Sequence, residues 1–471
     1  MKPEPFTKTS LQKLFNHSTD IEIKELKNKQ STTLYVYCKP LTDTSLAQDL
    51  TTSDYKEDDR SIYQSIQLDT IHKNELTSKY IEDAIFSGKL MLISSSETIK
   101  FYNISKSPNR QPDESVAEVS IRGPKDGFVE DITTNIGLIR KRLRTSSFVT
   151  EDYTIGKRTQ TKVSLLYIKD ILNKDILSDI QNRLSSIDID ILTSSSMLIE
   201  VLINQKFTLV PLMNYSGRAD FVVQCLNQGR FAIVVDGAPT VLIAPTDLSL
   251  LYKTPEDDNT SFYFASLERS LRIIGLFITV FLPGFYIALI THNVGQLPLP
   301  LIATLTASRI GLPFSPLLEI LLMLIMLELF KEGGARLPKG IGQTVAVIGG
   351  LIIGDAAIRG GITSPTTLVV IGITAISSFT LVNQSLAGNL FYIRVLVLLL
   401  SYFMGIYGFF ISLVFIFLYI SKLKSFGVPL LSNILSQNGL DILFTFFRLP
   451  LAFFRKRASS LLPKDKTRTG D

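Results

Sequence analysis

The sequence predicts an α/β (or α+β) cytosolic N-terminal region of two subdomains, followed by an all-α multi-pass membrane domain. A change of composition near Arg272 is the first observation behind this division. From residue 273 to residue 330 the only Asp, Glu, Lys or Arg side chains are Arg309, Glu319 and Glu328, whereas the preceding half is rich in charged and hydroxyl side chains. The second observation is that the first fifteen residues lack the apolar core of a secretory signal. We therefore expect the first half to stay in the cytosol.

Composition and motifs argue against several classes of function. Two cysteines, Cys38 and Cys225, fit a reducing compartment and predict no disulfide framework. The formal net charge is +5, and the basic side chains of the first half are mixed with acidic ones, so we expect no nucleic-acid partner. The sequence has no GxxxxGK[ST] loop, no cysteine pairing at zinc spacing and no arrangement typical of nucleophilic catalysis. We expect neither an enzyme nor a cofactor or metal site.

We divide the chain into five parts on these grounds. Residues 1–30 are a mobile lead-in, and residues 31–145 and 146–268 are cytosolic subdomains 1 and 2. Residues 269–424 are a transmembrane helical domain of five or six spans, and residues 425–471 are a basic cytoplasmic tail.

Two stretches of the first half resemble each other. Residues 80–104 and residues 221–245 each read as a helix, a glycine stop, a strand, a turn and a second strand. Gly88 and Gly229 supply the left-handed position after each helix, and Asp236-Gly237 is a hairpin turn. This layout suggests two related αββ subdomains. The alternative is coincidence, because helix–Gly–strand punctuation is common.

Between these stretches, residues 118–144 predict a short strand, a Gly-Pro turn and a helix. Four apolar side chains at helical spacing form one stripe: Ile132, Ile136, Ile139 and Leu143. Four basic side chains lie in the last turns: Arg140, Lys141, Arg142 and Arg144. The basic turns fit either a solvated face or a contact with anionic lipid headgroups or a neighbouring subunit. Residues 162–168 and 169–186 then predict a strand and an amphipathic helix.

The predicted spans begin with residues 271–290, about the length that crosses a bilayer. Arg269 and Arg272 precede this span and place its start on the cytoplasmic side. Residues 296–316 are broken by prolines and predict a re-entrant or interfacial segment. Residues 317–330 form the second span.

Glu319 and Glu328 are unexpected in so apolar a span. They are nine residues apart, about half a turn out of phase, so they cannot line one helix face together. Both could lie near headgroups, where a carboxylate at a helix start is favoured. Alternatively, at least one faces a polar pathway.

The third span, residues 341–358, carries small residues every four positions at Ala346, Gly350 and Gly354, which predicts close helix packing. Asp355 and Arg359 follow at ion-pair spacing. This pair is either a neutralised pair at the boundary or part of a pore face.

Residues 365–382 and 395–420 complete the predicted spans, and Gly405 and Gly408 loosen the last one. The tail is basic and should lie inside. An even number of crossings is therefore preferable, but the sequence leaves five and six open.

Several ordered blocks of this sequence are distinctive. They are EVSIRGPKDGFVED, TNIGLIRKRLR, GKRTQTKVSLLYI, QGRFAIVVDGAP and RLPKGIGQTVAVIGGLIIGDAA. Together they resemble the A subunit of the GerA-type spore germinant receptors over residues 114–424. The turn of the first block, shared with that family, comprises Arg122, Gly123, Pro124, Gly127 and Phe128. The stretch NYSGRAD (residues 214–220) and the region before residue 80 depart from the family, which leaves partner and stimulus open.

The resemblance implies a multi-pass protein of the spore inner membrane or cell membrane with its N-terminal domain in the cytoplasm. It implies a transporter-like B subunit that senses nutrients and a lipoprotein C subunit as partners, besides membrane lipids. It also implies a homo-oligomeric, nutrient-gated ion channel, with a non-conducting scaffold as the alternative. The family supplies no pore residues. The candidates for the ion pathway or its gating are therefore Glu319, Glu328, Asp355 and Arg359, chosen from the sequence itself.

Overall fold

A computed structural model of the chain describes residues 7–28, 31–52, 68–73, 76–94, 98–106, 118, 120, 122–203, 207–336, 354–435, 439–450, 457 and 459–467. Two five-stranded sheets with their helices form the first part, which we call the sheet region (residues 7–258). Helices dominate the second part, which we call the helical region (residues 262–422).

The first sheet and its helices are built by residues 8–103. In chain order they are α1 (Lys8–Leu14), β1 (Ile21–Asn28), β2 (Ser31–Cys38), α2 (Thr44–Thr52), β3 (Leu68–His72), α3 (Ser78–Phe86), β4 (Lys89–Ile93) and β5 (Thr98–Asn103). Helix α1 and strand β1 lie where the sequence predicts a mobile lead-in. The structure differs because Leu11 and Phe15 are buried in the core against this sheet, which fixes the segment.

The second sheet and its helices follow in the same way. They are α4 (Ile132–Arg142), β6 (Phe148–Ile155), β7 (Thr161–Ile168), α5 (Lys174–Ser186), α6 (Ser195–Leu202), β8 (Asn214–Ser216), α7 (Ala219–Asn227), β9 (Phe231–Val235), β10 (Val241–Ala244) and α8 (Leu248–Tyr252). Strand β7 and helix α5 match the predicted strand and helix. Glu118 and Ser120, in the predicted short strand, are not in a strand.

The two sheets share one topology. Their strand orders are β1-β2-β4-β5-β3 and β6-β7-β9-β10-β8, and neighbouring strands are antiparallel in both. In each sheet a helix ends at a glycine with positive φ (Gly88 at 88°, Gly229 at 93°) and leads into the hairpin that follows. The repeat is therefore longer than the αββ unit visible in the sequence, which supports the duplication hypothesis.

The second sheet is covered on both faces. Helices α5 and α6 pack on one face, and α4 and α7 pack on the other, each over its own apolar cluster. Strands β9 and β10 are buried at every position, so they read as continuous apolar runs and not as alternating ones.

Arg140 joins the two parts of the sheet region, namely the first sheet with its helices and the second sheet with its helices, which we call subdomains from here on. Its fully buried guanidinium pairs with Asp20 at 2.6 Å and donates to the carbonyl oxygen of Phe148. It also lies over the rings of Phe86 and Phe148, at 4.8 and 4.3 Å from their centroids. The basic end of α4 is thus not simply a solvated face, because Arg140 is a buried contact between subdomains and Arg142 pairs with Asp126.

Substituting Arg140→Ala should destabilise the contact between the subdomains. The change leaves the Asp20 carboxylate buried without its charge partner, which costs about 3–5 kcal/mol. Amide hydrogen exchange of β1 and β6 in the detergent-solubilised chain measures this loss. The control is Arg158→Ala, whose partner Asp190 is exposed, with an expected cost below about 1 kcal/mol. Equal exchange in the two variants would contradict the expectation.

The helical region contains α9 (Phe262–Thr291), α10 (Leu299–Arg309), α11 (Pro316–Arg336), α12 (Pro365–Phe379) and α13 (Gln384–Lys422). Residues 354–359 are also helical. In the described part of the chain, α9 and α13 are long and apolar enough to cross a membrane. Of the predicted third span, residues 341–353 lie outside the described residues.

Helix α13 reverses direction at Gly405. The backbone there has φ 59° and ψ −140°, which is not helical. Beyond this point Phe409 contacts Phe281 and Phe285 of α9, while Gly408 comes into close contact with Leu400. Two antiparallel helices, joined at Gly405, therefore replace the single last span that the sequence predicts. We call the part after Gly405 the return helix (residues 406–422).

Gly405→Ala should disrupt this reversal. A Cβ would lie 2.8 Å from the Asn293 side chain and 2.9 Å from that of His292, and the positive φ adds a strain of roughly 1–3 kcal/mol. We expect a lower melting temperature of the purified chain. The control is Gly372→Ala inside α12, where nothing lies within 4 Å of the new Cβ and helix propensity favours alanine. A Gly405→Ala variant as stable as Gly372→Ala would contradict the proposed strain.

The chain after the return helix packs on the sheet region. Strands β11 (Lys424–Ser425) and β12 (Val428–Pro429) form a hairpin, and α14 (Gly439–Phe446) follows. Ser425 donates to the carbonyl oxygen of Leu212, and Phe426 packs edge-on against Phe231 in the core of the second sheet. The sheet region thus holds the end of the return helix in place.

Candidate functional site

The junction between the sheet region and α9 is centred on Asp257. This carboxylate lies in a short 3-10 helix (Pro255–Asp258) and accepts hydrogen bonds from Arg269 at 2.9 Å and Arg272 at 2.7 Å. All three side chains are buried. Arg272 also donates to the carbonyl oxygen of Tyr252 at 3.0 Å. The two arginines that mark the start of the first predicted span are therefore engaged in a structural contact.

Electrostatics keep Asp257 ionised. Burial raises the pKa of this carboxyl, but Arg272 and Arg269 outweigh that effect and leave the pKa below its ordinary value. The stabilisation from these pairs is therefore present at neutral pH and is lost only as the pH falls into the acid range. Nearby, burial and then Arg269 lower the pKa of Lys253 to about 8. The charged lysine disfavours the folded junction below that pH, and this cost falls as the pH rises above it.

The family turn identified in the sequence lies at the same junction. Arg218, from the divergent stretch 214–220, pairs with Asp220 at 2.7 Å and with Glu256. Glu256 also accepts from the backbone N–H of Arg122. Gly123 lies so close to the Arg218 guanidinium that a side chain at this position would collide with it.

The rest of the turn is tied to the same stretch. The backbone N–H of Phe128 donates to the carbonyl oxygen of Gly217, and Gly127 forms a bridge with Arg218. A cavity of about 750 Å³ opens beside these groups, and its charged lining residues are Glu118, Arg122, Arg218, Glu256, Glu268 and Arg272. The turn is thus a packing element between the sheet region and the segment that leads into α9.

In the helical region, Glu319 is buried, with 1% of its surface exposed. It accepts from the N–H of Ser364 at 2.7 Å and from the hydroxyl of Thr363 at 3.0 Å, at the start of α12. Arg309, at the end of α10, forms an ion pair with it at 3.0 Å. Glu319 therefore binds three segments together, and this burial disfavours a freely exposed headgroup position.

Glu328 lies in a separate network. It pairs with Lys331 at 3.2 Å and lies 3.8 Å from a guanidinium nitrogen of Arg394 in α13. Arg394 is fully buried, and its Nε donates to the carbonyl oxygen of Thr279 in α9 at 2.8 Å. Neither of its two Nη groups donates a hydrogen bond to any part of the chain that the structure describes.

Sequence reasoning missed Arg394 as a candidate. The signal is present, because this arginine alone interrupts the uncharged sequence between residue 360 and residue 421. An ionisable side chain within an apolar span is a functional candidate by default, with its partner to be named. The distance to Glu328 could not be read from the sequence, since the two residues are 66 positions apart.

The remaining candidates are less connected. Asp355 and Arg359 form the expected ion pair at 2.8 Å, and both side chains are mostly exposed. Gly354 approaches Leu368 of α12 closely. Ala346 and Gly350 lie outside the described residues. Within the described residues, the structure thus brings Glu319 and Glu328 into two different networks and joins neither to the Asp355–Arg359 pair.

The described part of the helical site therefore offers charged and hydroxyl groups for contact with an ion or water. Among the described residues, no group of three or more His, Cys, Asp or Glu side chains could hold a metal ion. Next to Ser364, the Tyr286 hydroxyl is 3.0 Å from that of Thr366 and 3.3 Å from that of Thr367.

Substituting Asp257→Asn should loosen the junction. The amide removes the carboxylate charge that two buried arginines share, which costs about 3–5 kcal/mol. Thermal unfolding and protease sensitivity of the purified chain near residues 250–260 measure the effect. The neighbouring Asp258→Asn is the control, because Asp258 is half-exposed and pairs with Arg448 at 3.2 Å, so we expect below about 1 kcal/mol. Identical behaviour of the two variants would refute the role of Asp257.

Comparison with known proteins finds relatives along nearly the whole chain. Residues 9–460 match the family model of the Bacillus/Clostridium GerA spore germination protein. Spore germination protein XA of Bacillus anthracis is 41% identical over 469 residues, which cover 96% of this chain and 95% of that protein. Spore germination protein B1 of Bacillus subtilis (strain 168) is 35% identical over 398 residues, which cover 84% and 82% respectively.

Among solved structures, the chain is similar to the N-terminal domain of the A subunit of the Bacillus megaterium spore germinant receptor GerK3. That crystal structure shares 27% identity and a TM-score of 0.37 with this chain, and the match covers 50% of this chain and 92% of that one.

Proposed function

Since the chain belongs to the GerA family of spore germination proteins, we propose that it is the A subunit of a nutrient-sensing germinant receptor whose helical region forms an oligomeric, nutrient-gated ion channel. Relatives named spore germination proteins, aligned over nearly the whole chain, support the receptor role. The channel and the oligomer are the further steps of the proposal.

The proposed membrane arrangement has six crossings. Helix α9 leaves the cytosolic face, and α11 returns to it after the short helix α10. Helices α11 and α12 run in the same direction, since Glu319 contacts Ser364 at their starts and Lys331 lies 6.0 Å from the ring of Phe379 near their ends. A crossing is then required between them, and the sequence predicts one at residues 341–358.

The two helices joined at Gly405 provide the last two crossings. An even number puts the sheet region and the tail on the same side of the membrane, in agreement with their direct contact through Ser425 and Leu212. We propose that this is the cytosolic side. The membrane would be the spore inner membrane or the cell membrane. The receptor partners would be a transporter-like B subunit and a lipoprotein C subunit.

The channel proposal rests on the buried Arg394 and its half-buried neighbour Glu328. Placing a charge in the middle of apolar helices costs at least about 2.5–3.5 kcal/mol, so such residues usually serve ions, protons or water. At 3.8 Å the two groups are near each other without a hydrogen bond between them. This is the arrangement expected of groups that exchange partners when a path opens.

A non-conducting scaffold is the second candidate, and Glu319 favours it. One oxygen of this carboxylate accepts hydrogen bonds from Thr363 and Ser364, and the other forms an ion pair with Arg309, so Glu319 holds segments together. Purified protein in liposomes separates the two functions. Nutrient- or partner-dependent conductance supports the channel, and electrical silence with intact oligomers supports the scaffold.

Glu328→Gln and Asp355→Asn test the charged groups in spores. If either carboxylate lies on the ion path, its loss should slow potassium release after addition of a nutrient mixture several-fold, because a cation loses a favourable charge. The matched control is Glu332→Gln, whose exposed partner is Arg336 at the end of α11. Release unchanged in all variants, with normal protein levels, would reject both residues as pathway groups.

A further inference from the structure

An apolar cavity of about 310 Å³ lies between α9, the two arms of α13 and the sheet region. The first arm is the part of α13 before Gly405, and the second arm is the return helix. Eighteen side chains line it. From α9 they include Leu276 and Val280, from the first arm of α13 Leu390, and from the return helix Ile416. Tyr252 brings the one hydroxyl of this lining, and that hydroxyl donates to the carbonyl oxygen of Thr445 at 2.9 Å. The cavity thus presents almost no polar surface.

This lining decides the chemistry of an occupant. A polar nutrient, an ion or water would find no hydrogen-bond partner here, and burying a polar group unpaired is unfavourable. Apolar cavities of comparable size stay dry and bind hydrocarbons. The occupant should therefore be a hydrocarbon group.

The length of the cavity indicates which kind of hydrocarbon group it can hold. Its lining runs from Ile273 to Phe281 on α9, a length of about 12 Å at 1.5 Å per residue. Leu386 to Ile393 and Leu413 to Ile420 accompany it on the other two helices. A narrow space parallel to the helices fits an extended alkyl chain better than a compact ring.

The cavity also has an opening. Phe277 and Phe417 belong to its lining but are 55% and 51% exposed, so the space reaches the outer surface between α9 and the return helix. Leu248 and Leu431 belong to the lining where the cavity meets the sheet region and the chain after the return helix. If these helices cross a membrane as proposed above, the opening faces the lipid of the cytosolic leaflet.

We infer that this cavity binds one acyl chain of a membrane phospholipid, which enters from the cytosolic leaflet between α9 and the return helix. The inference rests on the proposed membrane insertion and is independent of ion conduction. A chain bound here contacts Leu248, the first residue of α8, which follows strand β10 of the second sheet, and so joins the bilayer to the sheet region.

Photocrosslinking in lipid nanodiscs tests this site. The full chain is reconstituted with a phospholipid that carries a diazirine at the end of one acyl chain, illuminated, and mapped by mass spectrometry. We expect crosslinks at the cavity wall, at Leu276, Leu390 and Ile416, besides those at the exposed Val414. Leu390→Trp fills the cavity and should abolish the wall crosslinks, while Leu399→Trp, on the same helix but outside the lining, should leave them unchanged.

Ile416→Phe, on the opposite wall, provides a milder filling in case Leu390→Trp does not fold. Crosslinks at Val414 with none at the wall in the unsubstituted chain would overturn the inference, as would wall crosslinks that persist in both filled variants. Crosslinking nowhere in the helical region, Val414 included, would instead contradict membrane insertion. The two failures are therefore distinguishable.

Discussion

The ion pairs of Asp257 with Arg269 and Arg272 are the contact on which the connection between the two regions depends. They fix the first long helix where it leaves the sheet region. Because all three groups are buried, loss of Asp257 would take the shared counter-charge from both arginines. The other end of the helical region is held by Ser425 and Phe426 against the second sheet. A movement of the second sheet must therefore displace the first helix and the return helix together.

The Asp257 contact is connected to the charges of the helical region through α9. Arg272 of this helix pairs with Asp257, and about two turns further on the Thr279 carbonyl oxygen accepts from Arg394. Arg394 in turn faces Glu328 of α11. A rotation of α9 would therefore change the distance between Arg394 and Glu328. Glu319 and Arg309 form a second network, which ties α10, α11 and α12 to each other.

Much of this architecture could be predicted from the sequence, and the failures have clear causes. Gly88, Gly229 and the apolar runs predicted where helices end and strands begin, because these signals are local. The reversal at Gly405 could not be predicted, since glycine is also common inside membrane helices that do not reverse. The ion-pair partners of Arg140 and Arg394 could not be predicted from the sequence for another reason. Ion pairs between residues more than sixty positions apart depend on packing that no local pattern encodes.

Labelling from outside intact cells tests the central claim most directly, namely that the sheet region lies in the cytosol while the helices thread the membrane. Cys38 and Cys225 are buried, so single cysteines can be introduced at the exposed Asp188 of the sheet region and at Gly295, after α9. An impermeant maleimide should label Gly295→Cys in intact cells and Asp188→Cys only after permeabilisation. Labelling of Asp188→Cys in intact cells would contradict the account.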